Sequence, residues 1–140
     1  MKTKKTITEI THDDLVDILS TALYGCDFLG ADYDSEFYDA LPDEKKEGDC
    51  YEDKMADILL NGGKIRVVDF YAEGEVYGNG KLDKNDENGI YFLTLEDFIK
   101  AMESEEGWKY AEELLINEDG DYFTANNLLQ IAMFGEVVYG

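Results

Sequence analysis

The sequence predicts an α+β fold in which a small antiparallel sheet of about three to four strands is flanked by about five helices. Several segments place apolar residues at helical spacing behind residues that favour a helix N-terminus. Other segments are rich in β-branched and aromatic residues and adjoin turn signals, which is typical of antiparallel strands. The 140-residue chain has no repeat and no Pro/Gly/Ser-rich linker. We therefore expect a single domain over residues 1–140.

The start of the chain predicts a short strand followed by the first helix. Residues 6–10 alternate weakly between apolar and polar side chains, whereas residues 1–6 carry three lysines and are expected to fray. Thr11 is a favourable N-cap, and Asp14 stands three residues further on, in the capping-box position. Gly25 supplies a left-handed end to this helix. Its inner face carries Leu15, Ile18, Leu19 and Ala22.

A second helix is predicted before the sheet. Residues 26–41 lack a clear period, so we expect a loop with one helical turn there. Pro42 suits the first position of a helix, although Gly48 weakens its first half. Gly62 and Gly63 end the helix. Its amphipathic part is marked by Tyr51, Met55, Ile58 and Leu59.

The middle of the chain carries the signals for the sheet. Residues 64–82 are rich in β-branched and aromatic residues and contain turn signals at Glu73-Gly74 and Asn79-Gly80. This pattern predicts a β-hairpin or meander. After a polar turn, residues 90–94 (IYFLT) predict a further strand.

The last third of the chain predicts three more helices. Thr94 is expected to cap the third helix, with an aspartate three residues further on, and Ser104 is expected to cap the fourth. Thr124 is the predicted cap of the fifth helix, which Gly135 ends. Residues 136–140 are expected to form a short final strand.

The net charge excludes several classes of partner. The chain has 33 Asp and Glu residues against 12 Lys and Arg, for a net charge of −21. Small domains usually carry roughly 2 to 8 charges, and a larger excess destabilises the compact state by self-repulsion. Such a surface disfavours direct binding to nucleic acid or to an anionic membrane. Arg66 is the only arginine, which disfavours nucleotide-phosphate binding as well.

Other features of the sequence indicate the compartment. No stretch approaches the ~18 apolar residues of a membrane span, and no apolar run follows the charged N-terminus as in a signal peptide. Cys26 and Cys50 are the only cysteines and form no Cys-x-x-Cys pair. We therefore expect a cytoplasmic protein with reduced thiols, with a Cys26–Cys50 disulfide as the alternative.

Motifs for metal binding and catalysis fit the sequence poorly. An EF-hand loop with Gly89 or Gly120 at its sixth position lacks an acidic residue at its first. His12 is the only histidine and is expected to be exposed in a helical first turn, so no zinc ligand set is apparent. Acidic neighbours suppress a thiolate at Cys26 or Cys50. We therefore expect no enzymatic activity, no cofactor and no metal site beyond weak, nonspecific binding of divalent cations.

The carboxylates concentrate in two blocks, residues 32–53 and residues 96–121, with ten in each. Residues three or four apart on a helix lie about 5–6 Å from each other, a scale similar to the spacing of phosphates along nucleic acid. The pattern therefore predicts a protein that imitates a phosphate backbone and occupies the basic groove of a DNA- or RNA-binding protein. Aromatic residues within the first block are expected to anchor the contact.

We expect the partner to contact two patches. One consists of Asp32, Asp34, Glu36, Tyr38 and Asp39, and the other of Glu105, Glu106, Glu112 and Glu113. The alternative is a small acidic adaptor, or an inhibitor that locks its partner's conformation without mimicking DNA. Salt separates the two, because mimicry weakens steeply with ionic strength and an apolar interface does not. The sequence leaves the oligomeric state open.

Four segments carry a resemblance to a known group of proteins: ITHDDLVDILSTALYG (10–25), NGGKIRVVDF (61–70), IYFLTLEDFIKAM (90–102) and LLQIAMFGEVVYG (128–140). In this order they resemble a diffuse group of small acidic proteins from bacterial phages and mobile elements. Many members carry a tryptophan after the first helix, where this chain reads CDFLGADYD (26–34). The resemblance implies no catalytic residues. It implies a setting in which acidic proteins of this size often inhibit host nucleases, as anti-restriction and anti-CRISPR proteins do.

Overall fold

The computed structural model describes residues 10–70 and 89–139. Within these ranges it has six α-helices and a three-stranded antiparallel sheet, which confirms the α+β fold class. The elements are α1 (His12–Leu23), β1 (Leu29–Tyr33), α2 (Ser35–Asp39), α3 (Tyr51–Leu60), β2 (Lys64–Asp69), β3 (Ile90–Thr94), α4 (Leu95–Glu103), α5 (Glu105–Ala111) and α6 (Tyr122–Phe134). A 3-10 turn spans Asp43–Lys45 and a π-helical turn spans Glu112–Ile116. None of the helices in the described ranges is long and apolar enough to cross a membrane.

The sheet has the strand order β1-β2-β3, and both neighbouring pairs are antiparallel. Val67 lies between Ala31 and Tyr91 in the register, and these three side chains pack against the helices. Because successive side chains of a strand point to opposite faces, the adjacent Arg66–Asp32 pair lies on the other face of the sheet. The helices therefore cover one face, and the other carries the Arg66–Asp32 pair together with the buried side chains of Ile90 and Phe92.

The core lies between the helices and the sheet. α1 packs against α6 and α3, α4 and α5 pack against α6, and α3, α4 and α6 reach the strands. Full burial of one aliphatic side chain stabilises the fold by about 1.5–3 kcal/mol relative to leaving it exposed. The fully buried side chains include the predicted inner faces of α1 and α3, apart from Tyr51, which is exposed: Leu15, Ile18, Leu19, Ala22, Met55, Ile58 and Leu59.

Three predicted helix caps are confirmed. Thr11 Oγ1 accepts a hydrogen bond from Asp14 N at 3.1 Å, and Asp14 Oδ2 accepts one from Thr11 N at 3.0 Å. The Thr94 backbone N–H donates to Asp97 Oδ2 at 2.8 Å at the start of α4. Ser104 Oγ accepts from a backbone N–H in the first turn of α5. These short-range contacts satisfy helical N–H groups that would otherwise lack partners.

Two predictions for the first half of the chain are wrong. The helical turn expected within residues 26–41 is present as α2, but these residues also contain β1, which was expected to be a loop, because β1 is defined by its pairing with β2 and not by a period of its own. The second long helix begins at Tyr51, whereas Pro42 precedes only the 3-10 turn. Cys50 N donates to Asp53 Oδ2 at 3.2 Å, and this capping contact places the start of α3 after Gly48.

Two predictions for the C-terminal segment are also wrong. Asp121, not Thr124, caps α6, since Asp121 Oδ1 accepts from Thr124 N at 3.1 Å. The described residues 136–139 form no strand. Their backbone binds a side chain instead, because Val138 N and Tyr139 N each donate to Gln130 Oε1 at 2.8 Å. The predicted left-handed end at Gly135 is confirmed by its φ of 81°.

Some predictions fall on parts of the chain that the structure does not describe. The fraying of residues 1–6, most of the strand over residues 6–10, and the turns at Glu73-Gly74 and Asn79-Gly80 lie outside the described residues. Cys26 and Cys50 lie within them, and both are free thiols. The disulfide alternative is therefore not formed in this structure.

The C-terminal tail is joined to β2 by one side-chain hydrogen bond. The Tyr139 hydroxyl donates to Asp69 Oδ2 at 2.7 Å, and Asp69 is buried. Burial, the hydrogen bond to Asp69 and the negative charge of Asp69 together raise the pKa of Tyr139 to about 12. The neutral phenol is therefore favoured by folding.

This contact gives a prediction for alkaline pH. The Tyr139→Phe variant should lower the free energy of unfolding by about 1 kcal/mol at neutral pH, because Asp69 loses a donor. The folded pKa of Tyr139 lies above the unfolded value, so its contribution is full below about pH 10 and is lost as the pH rises towards about 12. Urea unfolding of both proteins at about pH 8 and about pH 11 measures this. A stability difference that stays constant with pH would contradict it.

Candidate functional site

Most carboxylates of both blocks reach the solvent. The N-terminal acidic block (residues 32–53) and the C-terminal acidic block (residues 96–121) each expose seven of their ten acids. In the first block these are Asp34, Glu36, Asp39, Asp43, Glu44, Glu47 and Asp49. In the second they are Glu96, Glu103, Glu105, Glu106, Glu118, Asp119 and Asp121. The folded chain therefore keeps both blocks largely on its surface.

Two residues of the first predicted patch are engaged by cationic side chains. Tyr38 is only 8% exposed, and the ammonium groups of Lys46 and Lys54 lie 5.0 and 5.3 Å from its ring centre, so it is not a surface anchor. Asp32 is bound by Arg66, whose Nε donates to Oδ1 at 2.8 Å and whose Nη2 donates to Oδ2. The exposed members of the patch are Asp34, Glu36 and Asp39.

The second predicted patch also contains both exposed residues and residues that are partly buried. Glu105 and Glu106 are exposed in the first turn of α5. Glu112 and Glu113 are half-buried in the π-helical turn, and Glu113 Oε1 accepts from Thr124 Oγ1 at 3.1 Å. That bond joins the turn to α6. Glu105 and Glu106 are therefore the residues of this patch that are best placed to meet a partner.

The two acidic blocks begin at the same edge of the sheet. β1 ends at Tyr33 and β3 ends at Thr94. Both strands run antiparallel to β2, which lies between them, so both of these ends lie beside Lys64, the first residue of β2. A groove of about 250 Å³ opens there. Its lining includes Asp34, Phe37, Gly62, Gly63, Lys64 and Thr94. The start of α2 and the start of α4 thus lie on opposite sides of one groove.

Several cations of the described residues lie against aromatic rings or in a buried ion pair. Lys64 Nζ is 5.1 Å from the ring centre of Phe92. Arg66 is buried and bound to Asp32, as described above. A cation held over an aromatic ring or in a buried pair does little to neutralise carboxylates elsewhere on the surface. Lys64 and Arg66 therefore do little to neutralise the exposed carboxylates of the described residues, whereas Lys46 Nζ lies 3.9 Å from Asp43 Oδ1.

Exposed aromatic rings lie just after α1 and in the first turn of α6. Tyr24, just after α1, is 88% exposed, and Phe123, in the first turn of α6, is also exposed. A shallow hollow of about 390 Å³ is lined by Ser20, Thr21, Tyr24 and Tyr122. Large exposed aromatic side chains are typical anchors of protein interfaces.

His12 lies in a carboxylate cluster and not on the surface, so the prediction that it is exposed is wrong. It is 7% exposed, and its Nε2 lies 2.8 Å from Asp53 Oδ1. Its Nδ1 lies 3.0 Å from Asp57 Oδ1 and 3.9 Å from Glu47 Oε2. Asp57 is 1% exposed, and its other oxygen accepts from Glu47 N at 3.0 Å. α1, α3 and the segment before α3 thus meet around one imidazole.

The electrostatic field of this cluster favours positive charge. Burial lowers the pKa of His12, but the hydrogen bond with Asp53 and the charges of Asp57, Glu47 and Asp53 outweigh burial and raise its pKa overall. The hydrogen bond with His12 lowers the pKa of Asp53, against the effect of burial. Asp53 is therefore an ionised acceptor, and His12 Nε2 carries a proton.

Sequence reasoning missed this cluster because its members are far apart in the chain. His12 and Asp53 are 41 residues apart, so no spacing rule connects them. The one available signal was the combination of a sole histidine in the first turn of a capped helix with many carboxylates elsewhere. Such a signal does not specify which carboxylates pack against that turn.

No protein-family model, no curated protein and no solved structure matches this chain. The resemblance to phage and mobile-element proteins therefore stays a prediction.

Proposed function

We propose that this protein is a non-enzymatic inhibitor that binds the basic nucleic-acid channel of a bacterial defence nuclease, in the cytoplasm of the host cell. One observation supports this proposal above the others: the two acidic blocks start on opposite sides of one groove at a single edge of the sheet. The α-helices hold six of the fourteen exposed carboxylates in a defined arrangement: Glu36, Asp39, Glu96, Glu103, Glu105 and Glu106. A preorganised array of charge binds with a smaller entropic cost than a disordered acidic tail.

The spacing of the exposed carboxylates suits a phosphate mimic. Glu96 and Glu103 are exposed at the two ends of α4, seven residues apart, which corresponds to about 10 Å along a helix axis. Glu105 and Glu106 continue the series at the start of α5, whereas Lys100 is the opposing charge on α4. One strand of a DNA duplex carries a charge about every 3.4 Å of helix axis, so a row of this length covers about three phosphate intervals. Long-range attraction would make association fast and dependent on salt.

A second candidate function is supported by the aromatic hollow. An adaptor, or an inhibitor that acts on its partner's conformation, would use the exposed rings of Tyr24 and Phe123 rather than the carboxylates. Apolar contacts of this kind are insensitive to ionic strength. The two candidates therefore predict different variants and different salt dependence.

The test compares two triple variants with equal net charge. The first changes exposed acids of the two blocks: Glu36→Lys, Glu105→Lys and Glu106→Lys. The control changes exposed acids outside them: Asp13→Lys, Asp27→Lys and Glu136→Lys. Each protein is titrated into a guide-loaded Cas9-type nuclease and into a restriction endonuclease, with DNA binding and cleavage measured at about 50 and 200 mM salt. Circular dichroism checks the fold of both variants.

We expect the first variant to lose inhibition by about tenfold or more and the control to inhibit almost like the native protein. We also expect inhibition of DNA binding by the native protein to weaken steeply with salt. Equal inhibition by both variants would contradict mimicry through these blocks. Blocked cleavage with DNA still bound, lost in a Tyr24→Ser variant, would favour the second candidate.

A further inference from the structure

Two buried polar atoms in the His12 cluster lack hydrogen bonds among the described residues. They are His12 Nδ1 and Asp57 Oδ1, and they lie 3.0 Å apart outside hydrogen-bonding geometry. Both side chains are more than nine-tenths buried. Buried polar atoms in native proteins are nearly always paired, because an unpaired one is destabilising, so two of them facing each other indicate a ligand-binding position.

The hydrogen bonds around the cluster determine what that partner is. Because His12 Nε2 is engaged with Asp53 Oδ1 at 2.8 Å, Nδ1 is the ring nitrogen that lies next to Asp57 Oδ1. Asp57 is held in place through its other oxygen by Glu47 N. A cation bound by both atoms would give each of these buried polar atoms a partner.

We propose that His12 Nδ1, Asp57 Oδ1 and Glu47 Oε2 form a binding site for one divalent first-row transition-metal ion, with Zn²⁺ as the best fit. The three atoms lie within 4.8 Å of one another. Ligands at 2.0–2.2 Å from a tetrahedral zinc ion stand about 3.3 Å apart, so the observed 3.0 and 3.9 Å separations need only small side-chain rotations.

The choice of metal follows from the ligand types. One imidazole and two carboxylates suit Zn²⁺, whereas Mg²⁺ prefers an all-oxygen shell that retains several waters. The contact from His12 Nε2 to Asp53 repeats the carboxylate–histidine–metal arrangement that orients a ligating histidine. The three ligands come from α1, α3 and the segment before α3. A bound ion would therefore join that acidic segment to the helices and offset part of its repulsion.

One ligand can be removed with little effect on the fold. Glu47 is 58% exposed at its side chain, so Glu47→Gln should leave folding intact. Glu44→Gln is the matched control, because it changes the same charge at an exposed position three residues away. Asp57→Asn and His12→Gln test the buried ligands. Binding of Zn²⁺ and Mg²⁺ to chelator-treated protein is measured by calorimetry, thermal unfolding is followed with and without Zn²⁺, and Co²⁺ spectra report the coordination.

We expect one Zn²⁺ per chain, a higher midpoint of thermal unfolding with Zn²⁺, and visible Co²⁺ bands typical of an environment with fewer than six ligands. Glu47→Gln should weaken Zn²⁺ binding about tenfold or more, and Glu44→Gln should bind like the native protein. No stoichiometric binding would overturn the proposal and would assign the cluster to a doubly protonated His12 paired with Asp53 and Asp57. Equal binding by both glutamine variants would overturn it as well.

Discussion

Replacing Gln130 with leucine should lower the free energy of unfolding by about 3 kcal/mol. Gln130 is completely buried, and its side chain makes four hydrogen bonds. Nε2 donates to Asn126 Oδ1 at 2.7 Å and to the Tyr139 carbonyl at 3.0 Å, while Oε1 accepts from the N–H groups of Val138 and Tyr139. Leucine has a similar volume but satisfies none of these groups.

Chemical denaturation measures this effect, and a shortened chain provides its control. If Gln130 stabilises the protein by holding the tail, Gln130→Leu should cost far less in a variant that ends at Gly135, since the tail groups are then gone. An equal cost in both backgrounds would show that the tail contacts do not account for it. A loss below about 1 kcal/mol in the full chain would contradict the prediction itself.

Replacing Gly107 with alanine should destabilise the protein by about 3 kcal/mol, although alanine is the better helix former. In a helix interior the change from glycine to alanine usually stabilises by about 0.5–1 kcal/mol. At this position the new methyl group would overlap the carbonyl oxygen of Ala101 and would lie 2.6 Å from Ser104 Oγ. Ser104 Oγ itself donates to the Ala101 carbonyl at 2.7 Å and accepts from Gly107 N at 3.0 Å. The close corner between α4 and α5 therefore depends on the missing side chain.

The sign of the change in the free energy of unfolding distinguishes the two possible outcomes for Gly107→Ala. Urea unfolding of Gly107→Ala is compared with that of Lys109→Ala, an exposed substitution in the same helix that should change stability by less than about 0.5 kcal/mol. Stabilisation by Gly107→Ala would mean that the corner relaxes freely. Because the corner positions Glu105 and Glu106, we also expect this variant to inhibit less well if the proposed function holds.

Several acids stabilise the fold itself. Binding to a partner therefore has to account only for the remaining part of the negative charge. Aspartate side chains accept backbone N–H groups at the starts of five helices, where the helix dipole also favours negative charge. They are Asp14, Asp34, Asp53, Asp97 and Asp121. The exposed glutamates of α4 and α5 are a better indication of binding, since no such cap involves them in the described residues.

Local chemistry by itself predicted the α+β class, the inner faces of α1 and α3, and the caps at Thr11, Thr94 and Ser104. Each cap closes a contact within three residues, so its signal is contained in the neighbouring sequence. The exposure of most acids was predictable for a similar reason, because charged side chains are rarely buried unless they are paired.

Only the tertiary structure decided which polar residues are paired and buried. Asp32 meets Arg66 across 34 residues, His12 meets Asp53 across 41, and Tyr139 meets Asp69 across 70. β1 has no period of its own and exists as a strand through its register with β2. Such contacts depend on how distant segments pack. Local sequence allows several packing arrangements, and those that would bury a polar group without a partner are disfavoured by its free-energy cost. The candidate metal ligands and the common groove of the two acidic blocks also depend on such long-range packing.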